Sequence, residues 1–283
     1  MLQYLDVLSK VLAEGVWQEN RTGIRTKMIP GAMMNFDLSK GFPAVTTKKL
    51  AFKACVGELL GFLRGYTNAS QFEELGCNFW RQNADENKAW LENPNREGPG
   101  DLGYIYSRLW TDMPYSLLTE QWDQIEKLVQ AINTDPTSRR LIVSSWHPEV
   151  FDRAALPPCH VLFQVLISQW DRKMHLTMYQ RSCDMFLGVP MNIASYSLLL
   201  SLLAATTGYE PGTFTWFGAD VHIYENHMDQ VSLQLGRIPR ELPTLMLAPR
   251  IKPGLPLKEV NPNNIALVYF EEPWPSIKAP MAV

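Results

Sequence analysis

Hydrophobic side chains recur at helical spacing in several stretches of the first half of the chain. Over residues 2–14 leucine and valine return every three or four positions and Gly15 follows, so the pattern predicts an amphipathic helix. The more apolar stretch 48–66 predicts a second, mostly buried helix. Residues 119–136 predict a third helix, which ends at Pro136 because the residue before a proline disfavours helical geometry.

Short runs of β-branched and aromatic residues predict strands in the middle of the chain. These runs are RRLIVSSW (139–146), HVLFQVLIS (160–168) and KMHLTMYQ (173–180), and the polar stretch between the last two predicts a hairpin turn. Residues 212–236 predict one further strand that runs into a helix.

The longest apolar tract, residues 188–208, predicts a helix at the centre of a soluble core. Asn192 and five Ser or Thr residues interrupt the tract, which argues against a membrane span. Residues 87–103 are polar and rich in glycine and proline, and they predict a surface loop. Without a regular βαβ alternation, an internal repeat or a linker, these elements predict one α+β domain over residues 1–283.

The charge balance excludes a global basic field. The chain has 26 Lys and Arg against 29 Asp and Glu, a formal net charge of -3, so nucleic acid is not an expected partner. Arginines nonetheless cluster in NRTGIRT (20–26), TSRRLIV (137–143) and YQRSCD (179–184), which predicts a local pocket for a small phosphate or carboxylate.

The cysteines Cys55, Cys77, Cys159 and Cys183 form neither a CxxC pair nor a zinc pattern with histidine. We therefore expect neither a metal site nor a disulfide framework. The first residues also lack the charge and cleavage pattern of a secretory signal, so the sequence predicts a reduced cytoplasmic protein without a membrane partner.

Glu58 stands among apolar residues on the second predicted helix. Burial without a partner would raise the pKa of its carboxyl group, which suits a general acid or base. The alternative is a structural carboxylate tied to an arginine or to a helix end.

Residues 179–196 bring several polar groups to the end of a strand and the start of the apolar helix. Arg181 and Ser182 donate hydrogen bonds that suit a phosphate, and Asn192 offers both a donor and an acceptor, as an amide-like ring edge requires. Alternatively, Arg181 pairs with Asp184 on the surface and Asn192 caps the helix.

His222 and Tyr224 are two apart on a predicted strand, so they share a face and suit a ligand hydroxyl, with core packing as the alternative. Cys159, in ALPPCH, is either a buried hydrophobe or a nucleophile. Positive charge near its sulfur would lower the thiol pKa, and the arginine clusters supply that charge if the fold gathers them.

Together these segments resemble the thymidylate synthase family along nearly the whole chain. The matching stretches are NRTG (20–23), GFPAVTTKKL (41–50), ELLGFLRGYTN (58–68), DPTSRRLIVSSW (135–146), ALPPCH (155–160), YQRSCDMFLGVPMNIASY (179–196), DVHIYENHMDQ (220–230) and IKAPMAV (277–283). The resemblance implies a mixed, largely buried β-sheet layered with helices, in a homodimer that forms through the sheet. It also implies reductive methylation of dUMP to dTMP with 5,10-methylenetetrahydrofolate as co-substrate and no metal.

The resemblance assigns roles to individual residues. It implies Cys159 as the nucleophile and Glu58, Tyr106 and Asn192 as further catalytic residues. The implied substrate-binding residues are Arg21, Arg139, Arg140, His160, Gln180, Arg181, Ser182, Asp184, Asn192, His222 and Tyr224. Of these, Arg139 and Arg140 would reach in from the other subunit. The implied folate-binding residues are Trp80, Asp184, Leu187, Gly188 and Val283.

Two other functions stay open at this point. A related hydroxymethylase would capture the same intermediate with water, and Asn192 favours dUMP over dCMP as its substrate. An inactive nucleotide-binding or RNA-binding homologue is the third possibility, although binding alone would not need Cys159. Departures from the family pattern are Asn83 in place of a tryptophan, GYIYS around Tyr106, Ala219, an insertion at about 88–100, and no histidine in EEPWPSIKAP (271–280).

Overall fold

The computed structural model describes residues 1–113 and 122–281. Its helices are α1 Leu2–Glu14, α2 Phe52–Leu63, α3 Ala69–Glu74, α4 Arg81–Asp85, α5 Lys88–Leu91, α6 Tyr106–Thr111, α7 Gln124–Thr134, α8 Gly188–Thr207 and α9 Met228–Leu235. Its strands are β1 Val16–Gln18, β2 Thr26–Asp37, β3 Ile142–Ser144, β4 His160–Ser168, β5 Lys173–Asp184, β6 Glu210–Tyr224, β7 Thr244–Leu247 and β8 Ile265–Val268.

One six-stranded sheet with the order β1-β2-β6-β5-β4-β3 organises the fold, and β7 and β8 form a separate pair. β5 and β6 are parallel, whereas the other neighbours in the large sheet are antiparallel. Parallel neighbours need a long crossover, and α8 supplies it. The mixed sheet layered with helices confirms the predicted α+β class.

α8 is the core of the protein. It is apolar around its whole circumference, as a helix enclosed on all sides must be. It ends at Gly208, whose left-handed φ of 81° closes the helix with a residue that has no Cβ. Length and composition would allow α8 to cross a membrane, but 83% of the apolar window is buried inside the domain. The prediction of a core helix is confirmed.

The other sequence predictions differ from the structure mainly at element ends. The first helix and the β4–β5 hairpin are confirmed, with Ser168 pairing Lys173. The helix predicted over 48–66 is shorter and corresponds to α2, Phe52–Leu63. Of the helix predicted over 119–136, positions 119–121 lie outside the described residues, and the helical part of the remainder is α7, Gln124–Thr134.

Several short elements and the long strand β2 were not predicted. Pro30 and Gly31 disfavour a strand, yet β2 continues through Gly31 at a φ of 74°. The surface loop predicted over 87–103 is interrupted near its start by α5, where Trp90 is only 2% exposed. The Trp90 indole donates to the Asp101 carbonyl at 2.7 Å, and this contact holds the segment against the core.

Candidate active site

A cavity of about 470 Å³ opens where four neighbouring strands meet. β5 and β6 are parallel, so their carboxyl ends lie at the same edge of the sheet. β4 and β2 run antiparallel to them, so both begin at that edge. Residues near the ends of β5 and β6 and just before β4 and β2 therefore face a common space. The volume lies within the range of small-ligand pockets.

Six predicted site residues line this cavity, and they are Arg21, Cys159, Arg181, Ser182, His222 and Tyr224. Others lie in the adjoining protein interior, namely Glu58, Trp80, Tyr106, His160, Gln180 and Asn192. Asp184, Leu187 and Gly188 form the connection from β5 to α8. Arg139 and Arg140 are exposed before β3 and do not line the cavity. Val283 lies outside the described residues.

Cys159 is half-buried at the start of β4, and Tyr106 fixes the backbone there. The Tyr106 hydroxyl oxygen accepts the backbone N–H of Cys159 at 2.7 Å and that of His160 at 3.1 Å. Burial raises the pKa of the Cys159 thiol, and the positive charges of Arg181 and Arg21 oppose the rise only in part. The fold does bring arginine charge near the sulfur, as expected, and this charge lowers the thiol pKa by less than burial raises it.

Tyr106 remains a phenol in this environment. Burial and the neighbouring Cys159 raise its pKa well above the ordinary value of 10.0. A hydroxyl oxygen that accepts two backbone N–H groups still carries its own proton, so Tyr106 can donate that proton in a hydrogen bond.

Arg181 supports the chain on the other side of Cys159. Its Nε donates to the Pro158 carbonyl at 2.8 Å and its Nη2 to the Pro157 carbonyl at 3.1 Å. These contacts occupy two of the five N–H donors of the guanidinium group. The alternative in which Arg181 pairs with Asp184 is wrong, since Asp184 instead accepts the backbone N–H groups of Phe186 and Leu187.

Glu58 is half-buried on α2 and has an indole as its partner. Trp80 Nε1 donates to Glu58 Oε1 at 3.0 Å. Burial raises the pKa of the carboxyl group to about 7, and the hydrogen bond from Trp80 limits that rise. The structural alternative of a carboxylate tied to an arginine is wrong. A carboxyl group that titrates near neutrality can both take up and release a proton under physiological conditions.

A chain of side-chain hydrogen bonds orients Asn192 in the first turns of α8. Trp216 Nε1 donates to Gln180 Oε1 at 2.9 Å, and Gln180 Nε2 donates to Asn192 Oδ1 at 3.0 Å. Because the donors and acceptors alternate along this chain, the orientation of the Asn192 amide is fixed. Asn192 does not cap α8, whose N-cap is Leu187, so that alternative is also wrong.

The next two polar groups, His222 and Tyr224, face the cavity from β6. As predicted for residues two apart on a strand, they share a face, with ring centroids 5.2 Å apart in an edge-to-face arrangement. His222 Nδ1 lies 3.0 Å from Asp220 Oδ1. A proton on Nδ1 satisfies that carboxylate and leaves Nε2 as an acceptor, which suits a ligand hydroxyl.

Sequence reasoning missed a group of cavity-lining residues that includes Asn87, Trp90, Asn93 and Phe151. The available signal was Trp90 itself, a large aromatic residue in an otherwise polar stretch. Among residues 1–113 and 122–281, no group of three or more His, Cys, Asp or Glu side chains is arranged to hold a metal ion.

Comparison with known proteins identifies the family. The thymidylate synthase family model matches residues 2–283. The chain belongs to the thymidylate synthase family. A thymidylate synthase of Pseudomonas putida is 41% identical over 324 aligned positions, and one of Bordetella parapertussis is 40% identical over 325. A third, from Pseudomonas syringae pv. tomato, is 39% identical over 324 positions. Each alignment covers the whole of both chains.

The segment around Trp274 is tied to the domain by hydrogen bonds. Trp274 donates its backbone N–H to the Thr46 carbonyl at 2.9 Å and its indole N–H to the Ile238 carbonyl at 2.8 Å. The Arg240 guanidinium lies 5.0 Å from the ring centroid. Further along, His227 Nε2 donates to the Pro280 carbonyl at 2.7 Å. The C-terminal segment is thereby held against the domain.

Proposed function

We propose that this protein catalyses the reductive methylation of dUMP to dTMP with 5,10-methylenetetrahydrofolate, through covalent attack by Cys159. One observation carries the proposal: a single cavity of mononucleotide size holds the Cys159 thiol together with Arg21, Arg181 and Ser182. Two guanidinium groups and a hydroxyl suit a phosphate, and the sulfur supplies a nucleophile that simple binding does not need.

Binding of the nucleotide positions its base. Arg21, Arg181 and Ser182 hold the phosphate, while His222 Nε2 and Tyr224 hold the sugar hydroxyl. Asn192, whose orientation is fixed by Gln180, reads the polar edge of the uracil. Interactions with the phosphate, which is remote from the reacting carbon, thereby orient the base against the sulfur.

Covalent catalysis follows from this position. The Cys159 thiol gives its proton to water in the cavity and its sulfur bonds to carbon-6 of uracil, while the electron pair of the 5,6 double bond moves to form an enolate that makes carbon-5 nucleophilic. Glu58, with a pKa near 7, moves protons in this step and in removal of the carbon-5 proton through water. Tyr106 donates hydrogen bonds as a phenol. Once carbon-5 carries the methyl group, expulsion of the sulfur as a thiolate restores the 5,6 double bond and releases dTMP.

The folate supplies the one-carbon unit and the hydride that reduces it to a methyl group. Trp80, Asp184, Leu187, Gly188 and Val283 are the residues proposed to hold it. The C-terminal segment, held through Trp274 and His227, would keep water from the reacting carbon.

A product assay tests this function. Purified protein with dUMP and 5,10-methylenetetrahydrofolate is expected to form dTMP and dihydrofolate in equal amounts, followed by mass spectrometry and by the near-ultraviolet absorbance of dihydrofolate. Tetrahydrofolate with 5-hydroxymethyl-dUMP as the only products would instead establish a hydroxymethylase. The family match and the relatives named thymidylate synthase favour methylation.

We also propose a cytoplasmic homodimer formed through the outer face of the large sheet. Met33, Phe217 and Tyr179 are 53%, 39% and 40% exposed and are direct neighbours across β2, β6 and β5. A contiguous apolar patch on a sheet face fits a second copy of the same surface related by a two-fold axis. Arg139 and Arg140, exposed before β3, would then enter the partner's cavity.

Mixing two inactive variants tests the exchange of arginines between subunits. Arg139→Ala combined with Arg140→Ala, and Cys159→Ser, are each expected to be nearly inactive alone. Because one site of a hybrid dimer would contain both Cys159 and the arginines, random reassociation should restore roughly one quarter of wild-type turnover. The activity of refolded mixtures measures this. Mixtures no more active than their components, despite hybrid dimers detected by native mass spectrometry, would contradict the exchange.

A further inference from the structure

Residues 87–95 form a structured element beside the cavity, here called the brace. It contains α5 and is held to the domain by Trp90, which is 2% exposed and donates its indole N–H to the Asp101 carbonyl at 2.7 Å. The Trp90 ring lies directly against Gly103, where a Cβ atom would stand 2.9 Å from the ring. The brace is therefore fixed to the core at its centre.

Three asparagine side chains connect the brace to the segment that precedes Cys159, and the longest of these contacts is from Asn95 Nδ2 to the Asp152 carbonyl at 3.4 Å. Asn87 Nδ2 donates to the Ala155 carbonyl at 2.9 Å, and Asn93 Nδ2 donates to the Asp152 carbonyl at 2.7 Å. Asn93 Oδ1 in turn accepts the Asn95 backbone N–H at 2.8 Å, which holds the Asn93 side chain in place. Both acceptor carbonyls thus lie within seven residues of the nucleophile.

The same segment is paired through its backbone with the chain that follows the brace. Tyr104 N–H donates to the Arg153 carbonyl at 2.8 Å, and Ala155 N–H donates to the Leu102 carbonyl at 3.0 Å. Together with the asparagine contacts, these bonds restrain residues 152–155 from one side, while Arg181 holds Pro157 and Pro158 from the other.

The brace also bounds the cavity. Asn87, Trp90 and Asn93 line the same space as Arg21 and Arg181. Since these arginines are the groups that suit an anion, this wall lies beside the phosphate position. The brace therefore touches both the site of the nucleotide and the segment that carries the nucleophile.

We propose that the brace is a positioning element, which fixes the Cys159 segment through Asn87 and Asn93 and forms the wall of the nucleotide cavity. The identity of the nucleotide rests on the proposed function, whereas the restraint on Cys159 does not. Loss of the Asn87 amide leaves the Ala155 carbonyl without its side-chain donor, and loss of the Asn93 amide leaves the Asp152 carbonyl with only the longer bond from Asn95. Either change loosens the segment. A displacement of about 1 Å at a nucleophile can cost on the order of 10²-fold in rate.

The test uses Asn87→Ala and Asn93→Ala, with Glu92→Ala as the matched control, because Glu92 is an exposed residue of the same element. The first readout is the rate at which iodoacetamide alkylates Cys159 in the nucleotide-free protein, followed by peptide mass spectrometry. We expect both asparagine variants to be alkylated several-fold faster, because a loosened segment exposes the half-buried sulfur, and the control to match wild type.

The second readout is steady-state kinetics with dUMP. We expect kcat to fall about 10-fold to 100-fold, with a smaller rise in KM for dUMP, because the reacting sulfur is misplaced more than the phosphate contacts are lost. If Asn93→Ala fails to fold, Asn93→Ser replaces it, because the serine hydroxyl can still accept the Asn95 backbone N–H. Thermal melting establishes which variants are folded.

The outcomes separate the two proposals. An alkylation rate and a kcat equal to those of wild type in a folded asparagine variant would overturn the proposed positioning role of the brace. Faster alkylation of the variants, combined with a wild-type protein that does not turn over dUMP, would overturn the proposed function but support the positioning role of the brace.

Discussion

Cys159→Ser is expected to abolish turnover of dUMP while leaving binding of the nucleotide intact. A serine hydroxyl is a far weaker nucleophile than a thiolate, and loss of a covalent nucleophile costs at least about 10³-fold in kcat. The phosphate and sugar contacts come from other residues, so the dissociation constant for dUMP should change little. Single-turnover assays measure the first quantity and isothermal titration calorimetry the second.

Cys77→Ala is the control for this experiment. Cys77 is fully buried away from the cavity, and burial raises the pKa of its thiol to about 12, so it stays protonated. This variant should retain wild-type turnover per folded molecule. Undiminished turnover by Cys159→Ser would exclude covalent catalysis, and a wild-type protein that binds dUMP without any turnover would support the inactive homologue.

Glu58→Gln is expected to lower kcat by about 10² to 10⁴, because a group that transfers protons is replaced by one that does not titrate. The ionisation of Glu58 near pH 7 should also disappear from the pH profile of kcat. The variant Trp80→Phe tests the hydrogen bond to Glu58. The indole hydrogen bond lowers the pKa of Glu58, so its removal should move that ionisation to higher pH. A pH profile of Glu58→Gln identical to wild type would contradict the assignment.

The same carboxyl group predicts how stability depends on pH. Its pKa is about 7 in the folded protein against an ordinary 4.5, so the folded state retains a proton that the unfolded state releases between these values. The free energy of unfolding therefore falls as pH rises from about 4.5 to 7. Glu58→Gln has no such carboxyl group and should not lose this stability. The melting temperature of the variant minus that of wild type should therefore rise between about pH 4.5 and 7 and stay constant above pH 7. Differential scanning calorimetry measures the change.

Sequence patterns predicted elements best where local chemistry decides the conformation. α1 follows from the spacing of its apolar residues, α8 from the length of its apolar tract, and the β4–β5 hairpin from two apolar runs around a polar turn. β2 could not be read in the same way, because its pairing partner β6 lies almost two hundred residues further along the chain. Such long-range pairing stabilises a strand that local propensity interrupts at Pro30 and Gly31.

In the candidate site, too, some features could be predicted from local sequence and others depend on contacts between distant residues. Order and identity of the motifs were enough to point to the family and to name Cys159 as nucleophile, since those segments can be read residue by residue. The partner of Glu58 could not be predicted from local sequence, because Trp80 approaches it from the turn before α4, 22 residues further along the chain. The role of residues 87–95 was hidden for a related reason, since their contacts are with main-chain carbonyls, which carry no sequence signature.

The sequence by itself determined the fold class, the central helix, the arginine clusters and the choice of Cys159 as the candidate nucleophile. Only the tertiary structure decided the protonation behaviour of Cys159 and Glu58, because desolvation and nearby charge depend on which groups the fold brings together. It likewise decided that side chains of residues 87–95 bond to the segment that precedes Cys159. The sequence specifies which functional groups the chain contains. The pKa values of those groups depend on burial and on nearby charges, which arise from contacts between distant parts of the chain.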